Sequence, residues 1–288
     1  MNPKRALVLG ATGMVGYPLA SALLAGGWQV FGAARFQQAD SPEGLVPSGC
    51  HPIRFDVIQD DPAALPEVDT VFLEIWDPSQ PEQMWAINFY GVGRVVERYS
   101  GVTEIVNGST INVYGDQPSA PSEDSPCRPT SEYGRSRYAV EKLIDYFSVR
   151  GGKKAIHVRY AHANTAGRGM IRSMAETILA EKSQGPNPDS RVQAIALEDF
   201  VRVTVGAAEY TARPPAAVNC CHPTIWTRRE LAEAIHQRLG RGRVVFDRPT
   251  GGAEHSVTAS VERMLDWFGE PQISPETLID RVVEKLIE

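Results

Sequence analysis

Short apolar runs alternate along this chain with stretches in which apolar residues return every three to four positions. Ala6–Leu9, Gln29–Ala33, Ile53–Phe55, Thr70–Ile75, Glu104–Asn107 and Ala155–Arg159 have the strand pattern. Met14–Ala25, closed by Gly26-Gly27, has the helical one, as do the stretch around Pro81–Tyr99 and Tyr138–Val149, where Val140, Leu143, Ile144 and Phe147 share a face. Strand and helix in alternation predict an α/β protein, a Rossmann-type doubly wound parallel sheet with helices on both faces. After about Ala166 the pattern changes to helices over Met170–Lys182, Thr227–Leu239, Val257–Phe268 and Pro275–Ile287. Thr227, with Glu230 three residues on, carries a capping-box signature. The expected organisation is a core domain over 1–165 and a smaller helix-rich lobe over 166–288, with 194–212 returning to the core.

Length and composition narrow the classes. At 288 residues, 42% hydrophobic and 22% charged, the chain is an ordinary globular protein rather than an extended disordered one. The net charge is -6, without a basic run, so nucleic acid and membrane surfaces are poor partners and a small molecule is the better expectation. No apolar run approaches the ~18 residues a bilayer span needs, and the N-terminus leads straight into a strand rather than a signal-peptide core. Cys50, Cys127, Cys220 and Cys221 show neither zinc spacing nor a sensible disulfide framework, which points to reduced thiols in a cytoplasmic protein. The six histidines show no metal-ligand spacing and are read as structural, so no metal is expected. Cys127 lacks a neighbouring histidine and no GxSxG is present, which argues against hydrolase chemistry.

Gly10, Gly13 and Gly16 form GxxGxxG at the first strand-to-helix junction. Small residues there let the chain turn sharply and approach a pyrophosphate, whose charge the free N–H groups of a helix N-terminus welcome. The same glycines can serve packing alone. The cofactor reading assigns Gly10, Thr12, Gly13, Met14, Val15 and Gly16 to the phosphates. At the end of strand two, Val30-Phe-Gly-Ala-Ala-Arg35 offers one guanidinium and no carboxylate, which favours NADP(H) over NAD(H). Arg35 can instead be a solvated surface residue, and Phe36 adds no second charge. Asp56, with Val57, is placed to meet the adenine; alternatively Asp56 caps the turn before Asp60-Asp61-Pro62.

Taken in order, these residues resemble the short-chain dehydrogenase/reductase superfamily, in its extended branch of NAD-dependent epimerases, dehydratases and reductases. Gly108-Ser-Thr-Ile-Asn-Val-Tyr-Gly115 resembles the family's Ser/Thr strand ending in VYG. Tyr133-Gly-Arg-Ser-Arg137 with Glu141 resembles its YxxxK helix, Arg159 through Gly167 its R…N…G segment, and Leu197-Glu-Asp-Phe-Val201 its acidic return to the core. The resemblance implies a dinucleotide-binding core and a substrate lobe, Tyr133 as general acid/base, and Thr110 as the hydroxyl that holds the substrate oxygen. Arg137 stands where the family keeps a lysine beside the phenol and the nicotinamide ribose; the resemblance implies that Arg137 holds the ribose and biases the phenol, since arginine supplies charge and a hydrogen bond but releases no proton. Tyr138 is a second phenol on the same helix, and Asn88 resembles a structural asparagine. Bland readings remain for each: a helix-start tyrosine, a surface arginine, a locally bonded threonine.

Val71-Phe-Leu-Glu-Ile-Trp76 departs from the family's usual His-Leu-Ala-Ala-like run and resembles instead the progesterone 5β-reductase and iridoid synthase-like group, with Trp76 as pocket wall or core. That group's own lysine near VYG is absent here. Between Gly167 and Leu197 the segment is short and offers Arg168, Arg172 and Arg191 as its only candidate anchors for a second diphosphate, so a smaller carbonyl-bearing metabolite fits better. The expected activity is NADP(H)-dependent oxidoreduction at a hydroxyl/carbonyl centre. An epimerase or dehydratase with retained cofactor, and a non-catalytic NADP-binding redox sensor or scaffold, stay open. The family also implies a possible homodimer through the helices around 85–99 and 138–150.

Overall fold

The structure, a computed structural model, describes residues 2–36, 45–75, 81–99, 103–117, 119–248 and 258–288. Trp76 and His255 lie outside the described residues. In chain order the elements are β1 (Arg5–Leu9), α1 (Gly16–Ala25), β2 (Gln29–Ala34), β3 (His51–Arg54), β4 (Thr70–Leu73), α2 (Pro81–Trp85), α3 (Val92–Arg98), β5 (Glu104–Thr110), α4 (Glu132–Gly151) and β6 (Ala155–Tyr160). There follow β7 (His162–Asn164), α5 (Met170–Leu179), β8 (Arg191–Val192), β9 (Ala194–Ala196), α6 (Leu197–Ala207), β10 (Ala216–Cys220), β11 (Trp226–Thr227), α7 (Arg228–Leu239), α8 (Glu262–Phe268) and α9 (Pro275–Ile287).

Seven strands form one Rossmann-type parallel sheet in the order β10-β6-β5-β4-β1-β2-β3. β1 lies between β2 and β4, with Leu7 opposite Phe31 on one side and Val71 on the other. The reversal of strand order beside β1 makes the crevice at its carboxyl end the expected ligand position. Strands β1, β4 and β5 are buried almost throughout because helices cover both faces, which explains the apolar runs Ala6–Leu9 and Val71–Leu73. Leu7, Leu9, Val71, Leu73, Val92, Val95, Val96, Ile105, Val140 and Ile144 form the core.

The chain separates into two compact units. The first comprises Met1–Val113, Pro129–Arg159 and Val201–Val218, the second Tyr114–Arg128, Tyr160–Phe200 and Asn219–Glu288. In the second, α5, α7 and α9 enclose their own core of Ile171, Met174, Ile178, Leu231, Ile235, Leu278 and Val282. The predicted capping box is formed: Thr227 Oγ1 accepts from Glu230 N at 3.1 Å, and Thr227 N donates to Glu230 Oε2 at 2.7 Å. Buried Asp199 accepts from Gln272 N and Ile273 N, which gives the acidic element ahead of the core return a structural task.

Pattern reading missed β10, an edge strand of the main sheet, and three further features. The helix expected over 81–99 is interrupted by a π-turn at Ala86–Gly91. Helix α4 begins six residues before the apolar periodicity does, because Ser131 caps it by accepting from Gly134 N at 3.0 Å. The two-to-three-residue strands β7, β8, β9 and β11 are too short to show a period. No helix among the described residues is long and apolar enough to cross a membrane.

Candidate active site

The glycine turn sits at the carboxyl end of β1. Gly10 N and Ala11 N both donate to Ala33 O, at 2.9 and 3.2 Å, fastening the turn to β2 two residues before Arg35. Gly10 has φ +92, and a Cβ there would stand 2.6 Å from Glu74 O, so glycine is required for both conformation and space. A Cβ on Gly16 would run into Gly10 O. Thr12 and Gly13 face solvent, Met14 is half-buried and Val15 is buried. An open, side-chain-poor cradle at the start of α1 fits the pyrophosphate of a dinucleotide.

A cavity of about 350 Å³ gathers Arg35, Asp56, Val57, Ile58, Ile75, Gln83 and Ile87. Three residues singled out from the sequence thus share one wall set of ordinary ligand-site size. Asp56 also makes the turn that was its alternative role: its Oδ1 accepts from Ile58 N at 2.8 Å. Arg94, unremarked in the sequence, reaches from α3 to donate to Val57 O, Ile58 O and Asp60 O at 2.8–2.9 Å, fixing this loop. Arg54 similarly donates to Arg35 O and Phe36 O, both at 3.1 Å, where Phe36 takes φ +50. So a second guanidinium does stand beside the end of β2, supplied by β3. A larger cavity, about 1080 Å³, lies at the opposite, amino ends of the strands among Lys4, Arg5, Glu67, Asp69, Arg98 and Glu104. There Arg98 is paired with Glu67 at 2.5 Å, and Arg5 N with Asp69.

Thr110 ends β5 and is buried. Its Oγ1 accepts from Asn112 N at 3.2 Å and Asn112 Nδ2 at 2.9 Å, a pairing that leaves its own O–H to donate. Tyr133 is half-buried in the first turn of α4. Gly134 lets this turn approach Asn112, since a Cβ would lie 2.6 Å from Asn112 O. Tyr138 is covered by Lys142, whose Nζ lies 5.1 Å from the ring centre. Tyr114 of the VYG segment is buried, its hydroxyl donating to Asn219 Oδ1 at 2.6 Å.

Arg137 is not on the surface; it is 1% exposed. Its Nη1 donates to Ile75 O at 3.2 Å and its Nη2 to Gly108 O and, at 3.4 Å, to Asn107 Oδ1. The guanidinium thereby straps α4 to the carboxyl ends of β4 and β5. Facing it is Glu74, 5% exposed, whose carboxylate occupies the space a side chain at 108 would need: a Cβ on Gly108 would lie 2.7 Å from Glu74 Oε1. Both Glu74 oxygens and Arg137 Nε have no hydrogen-bond partner among the described residues. Burial pushes the Glu74 carboxyl up to about 8 against the pull of Arg137.

Around this pair runs a buried polar frame. Asn107 Nδ2 and His157 Nδ1 are 3.2 Å apart, and His157 Nε2 lies 3.1 Å from Asp145 Oδ1. Glu141 accepts from Ser109 Oγ at 2.6 Å and from Arg159 Nε and Nη2 at 3.0 and 2.7 Å. Asn88, inside the π-turn, donates to Ser136 Oγ at 3.2 Å and so steadies α4 from the other side, the structural role expected of it. Among the described residues no group of His, Cys, Asp and Glu is arranged to hold a metal ion.

The sequence profile of the NAD dependent epimerase/dehydratase family matches residues 6–221. The dTDP-6-deoxy-L-talose 4-dehydrogenase (NAD(P)(+)) of Kitasatospora kifunensis is 28% identical over 263 residues, 83% of this chain and 80% of that protein. Among solved structures, the UDP-glucose 4-epimerase of Thermotoga maritima superposes with a TM-score of 0.84 at 19% identity, over 99% of this chain and 100% of the other. The UDP-glucuronic acid 4-epimerase of Bacillus cereus, solved with NAD, gives the same TM-score, identity and coverage.

Proposed function

Because the chain belongs to the NAD dependent epimerase/dehydratase family, we propose that it uses NADP(H) to interconvert a hydroxyl and a carbonyl on a small metabolite. It is an enzyme of the NAD(P)-dependent oxidoreductase and epimerase class. The observation that carries the finer reading is the cavity that brings Arg35 to Asp56 and Val57, beside a glycine turn tied to β2. The turn would hold the pyrophosphate through backbone N–H groups, Asp56 and Val57 would meet the adenine, and Arg35 would meet a 2′-phosphate. When bound, the nicotinamide supplies the hydride donor or acceptor. Thr110 donates its O–H to the substrate oxygen, held in that direction by Asn112. Tyr133, in the first turn of α4, moves the proton. Arg137 contributes charge beneath the site, with its N–H groups directed to strand-end carbonyls.

A second reading, a nucleotide-sugar substrate, draws on the dehydrogenase relative matched over 80% of its length. Of the candidate anchors for its diphosphate, Arg172 is engaged by Glu176 at 2.6 Å and Arg168 is exposed. Arg168 remains open to a phosphate, so the substrate screen below decides between the two classes. The cytoplasm is the proposed compartment, in keeping with four free thiols. A homodimer is proposed through the exposed Tyr90, Tyr146 and Val149, with light scattering as its check.

The test is titration of the purified protein with NADPH, NADP+, NADH and NAD+, followed by a screen of carbonyl substrates and nucleotide sugars. Tighter binding of the phosphorylated pair supports Arg35, preference for NAD(H) overturns that assignment, and failure of all four overturns the cofactor reading. Turnover of a nucleotide sugar without net cofactor consumption would favour an epimerase.

A further inference from the structure

Arginine at position 137 solves half of a problem. It brings a permanent positive charge to the α4 position one turn after Tyr133, but it has no proton to exchange near neutral pH. The structure sets a carboxyl that does beside it. Glu74 follows β4 directly, its backbone oxygen closing over Gly10 and its carboxylate lodged against Gly108, two residues before Thr110. It therefore lies between the first glycine of the cofactor turn and the strand end that carries the substrate-holding hydroxyl. Among the described residues, β1 and its turn present Leu9 and Gly10 to it, β5 presents Gly108, and α4 presents Arg137. Among the described residues, Arg137 is the charge that acts on it.

We propose that Glu74 is a positioning residue whose protonation, acting through Arg137, sets the preference of this site for oxidised over reduced nicotinamide; the inference rests on the dinucleotide reading above. With Glu74 ionised the pair is neutral, one negative charge against one positive. With Glu74 protonated the pair carries one uncompensated positive charge in a buried place. An oxidised nicotinamide ring is cationic and a reduced one is neutral, so the protonated pair repels the oxidised form selectively. Raising the pH ionises Glu74 and tightens the oxidised form relative to the reduced one. Burial places this change near neutrality rather than in the ordinary carboxylate range. By reciprocity, binding of the oxidised nucleotide must drive a proton off Glu74.

The experiment measures dissociation constants of NADP+ and NADPH between about pH 6.5 and 9.5 and follows their ratio; ionisation of the 2′-phosphate is common to both and cancels. The ratio Kd(NADP+)/Kd(NADPH) is expected to fall by about fivefold or more with rising pH in the native protein. In Glu74→Gln, which has nearly the same shape, it is expected to stay flat at the acid-limit value. Carbon-13 NMR of labelled glutamate, in the protein without nucleotide, gives a second readout. One carboxyl, absent in Glu74→Gln, should titrate well above the ordinary value near 4.3, and NADP+ should move it down. If Glu74→Gln does not fold, the native ratio and the NADP+-dependent carboxyl shift decide alone. A flat native ratio, or a variant that keeps the native slope, overturns the proposal while leaving the cofactor reading intact. Failure of every nucleotide to bind overturns both.

Discussion

Exchanging Glu141 for glutamine removes the charge that ties α4 to β5 and β6. Glu141 is fully buried and receives three hydrogen bonds, one from Ser109 and two from Arg159. Burial alone would keep it protonated; the charges of His157 and Arg159 and the bonds from Arg159 and Ser109 overcome that and hold the carboxyl below the ordinary range. In the variant, the guanidinium of Arg159, 7% exposed, loses the carboxylate that Glu141 supplies. Breaking a buried pair from one side costs about 3–5 kcal/mol, and an amide that still accepts one bond from Arg159 keeps the loss near the lower end. With a urea slope of about 2 kcal/mol/M, the midpoint should fall by roughly 1.5 M at pH 7, read by far-ultraviolet circular dichroism. Glu141→Leu combined with Arg159→Met removes both charges and should cost less than the two single changes together, by about 2 kcal/mol or more. The pH dependence has a definite sign. A carboxyl lowered by folding stabilises above its unfolded value, near pH 4.5, and that stability disappears as pH falls through the folded value. Acidification should therefore harm the native protein more steeply than Glu141→Gln. A loss below about 1 kcal/mol at pH 7, or strict additivity in the double variant, would refute the reasoning.

Three further outcomes test the site. Tyr133→Phe should lower kcat by roughly 10²–10⁴ with any substrate found, while NADPH affinity, measured by fluorescence, changes less than about twofold. Arg35→Ser removes a charge-assisted contact and should weaken NADPH by roughly 10–100-fold with NADH nearly unaffected; equal losses for both would show that Arg35 does not read the 2′-phosphate. Gly16→Ala forces a methyl into Gly10 O, so nucleotide binding by calorimetry should disappear and thermal unfolding should come earlier.

Strands β1 and β4 were legible because burial on both faces makes each an apolar run, and the order of strand and helix then dictates the parallel sheet. The glycine turn, Arg35, Asp56 and Val57 were legible for a different reason: a turn that must admit a phosphate tolerates few residue types. Arg54 and Arg94 were not, because a guanidinium that crosses space to clamp backbone carbonyls leaves no local pattern. Glu141 and Arg159 were each noticed in separate motifs, yet nothing in a spacing of 18 residues announces that they meet. The early start of α4 was missed for the plainest cause, since Ser131 caps a turn whose first residues face outward and carry no periodicity.

Two departures from the family pattern, a carboxylate closing the β4 run and an arginine in place of the lysine, look independent in sequence and are one feature in space. A guanidinium is broader than an ammonium and needs acceptors on more sides; here they are Ile75 O, Gly108 O and Asn107 Oδ1. Acceptors alone leave a full charge in a water-excluded place, a cost of several kcal/mol that Glu74 offsets only when it is ionised. Glu74 alone, against the same apolar strands, would simply stay protonated. The glycine at 108 is the third part, because any side chain there would occupy the space the carboxylate fills. A search for arginine in this helix position should therefore look for an acidic residue at the end of β4 and a glycine opposite it on β5, since each is intelligible only with the other two.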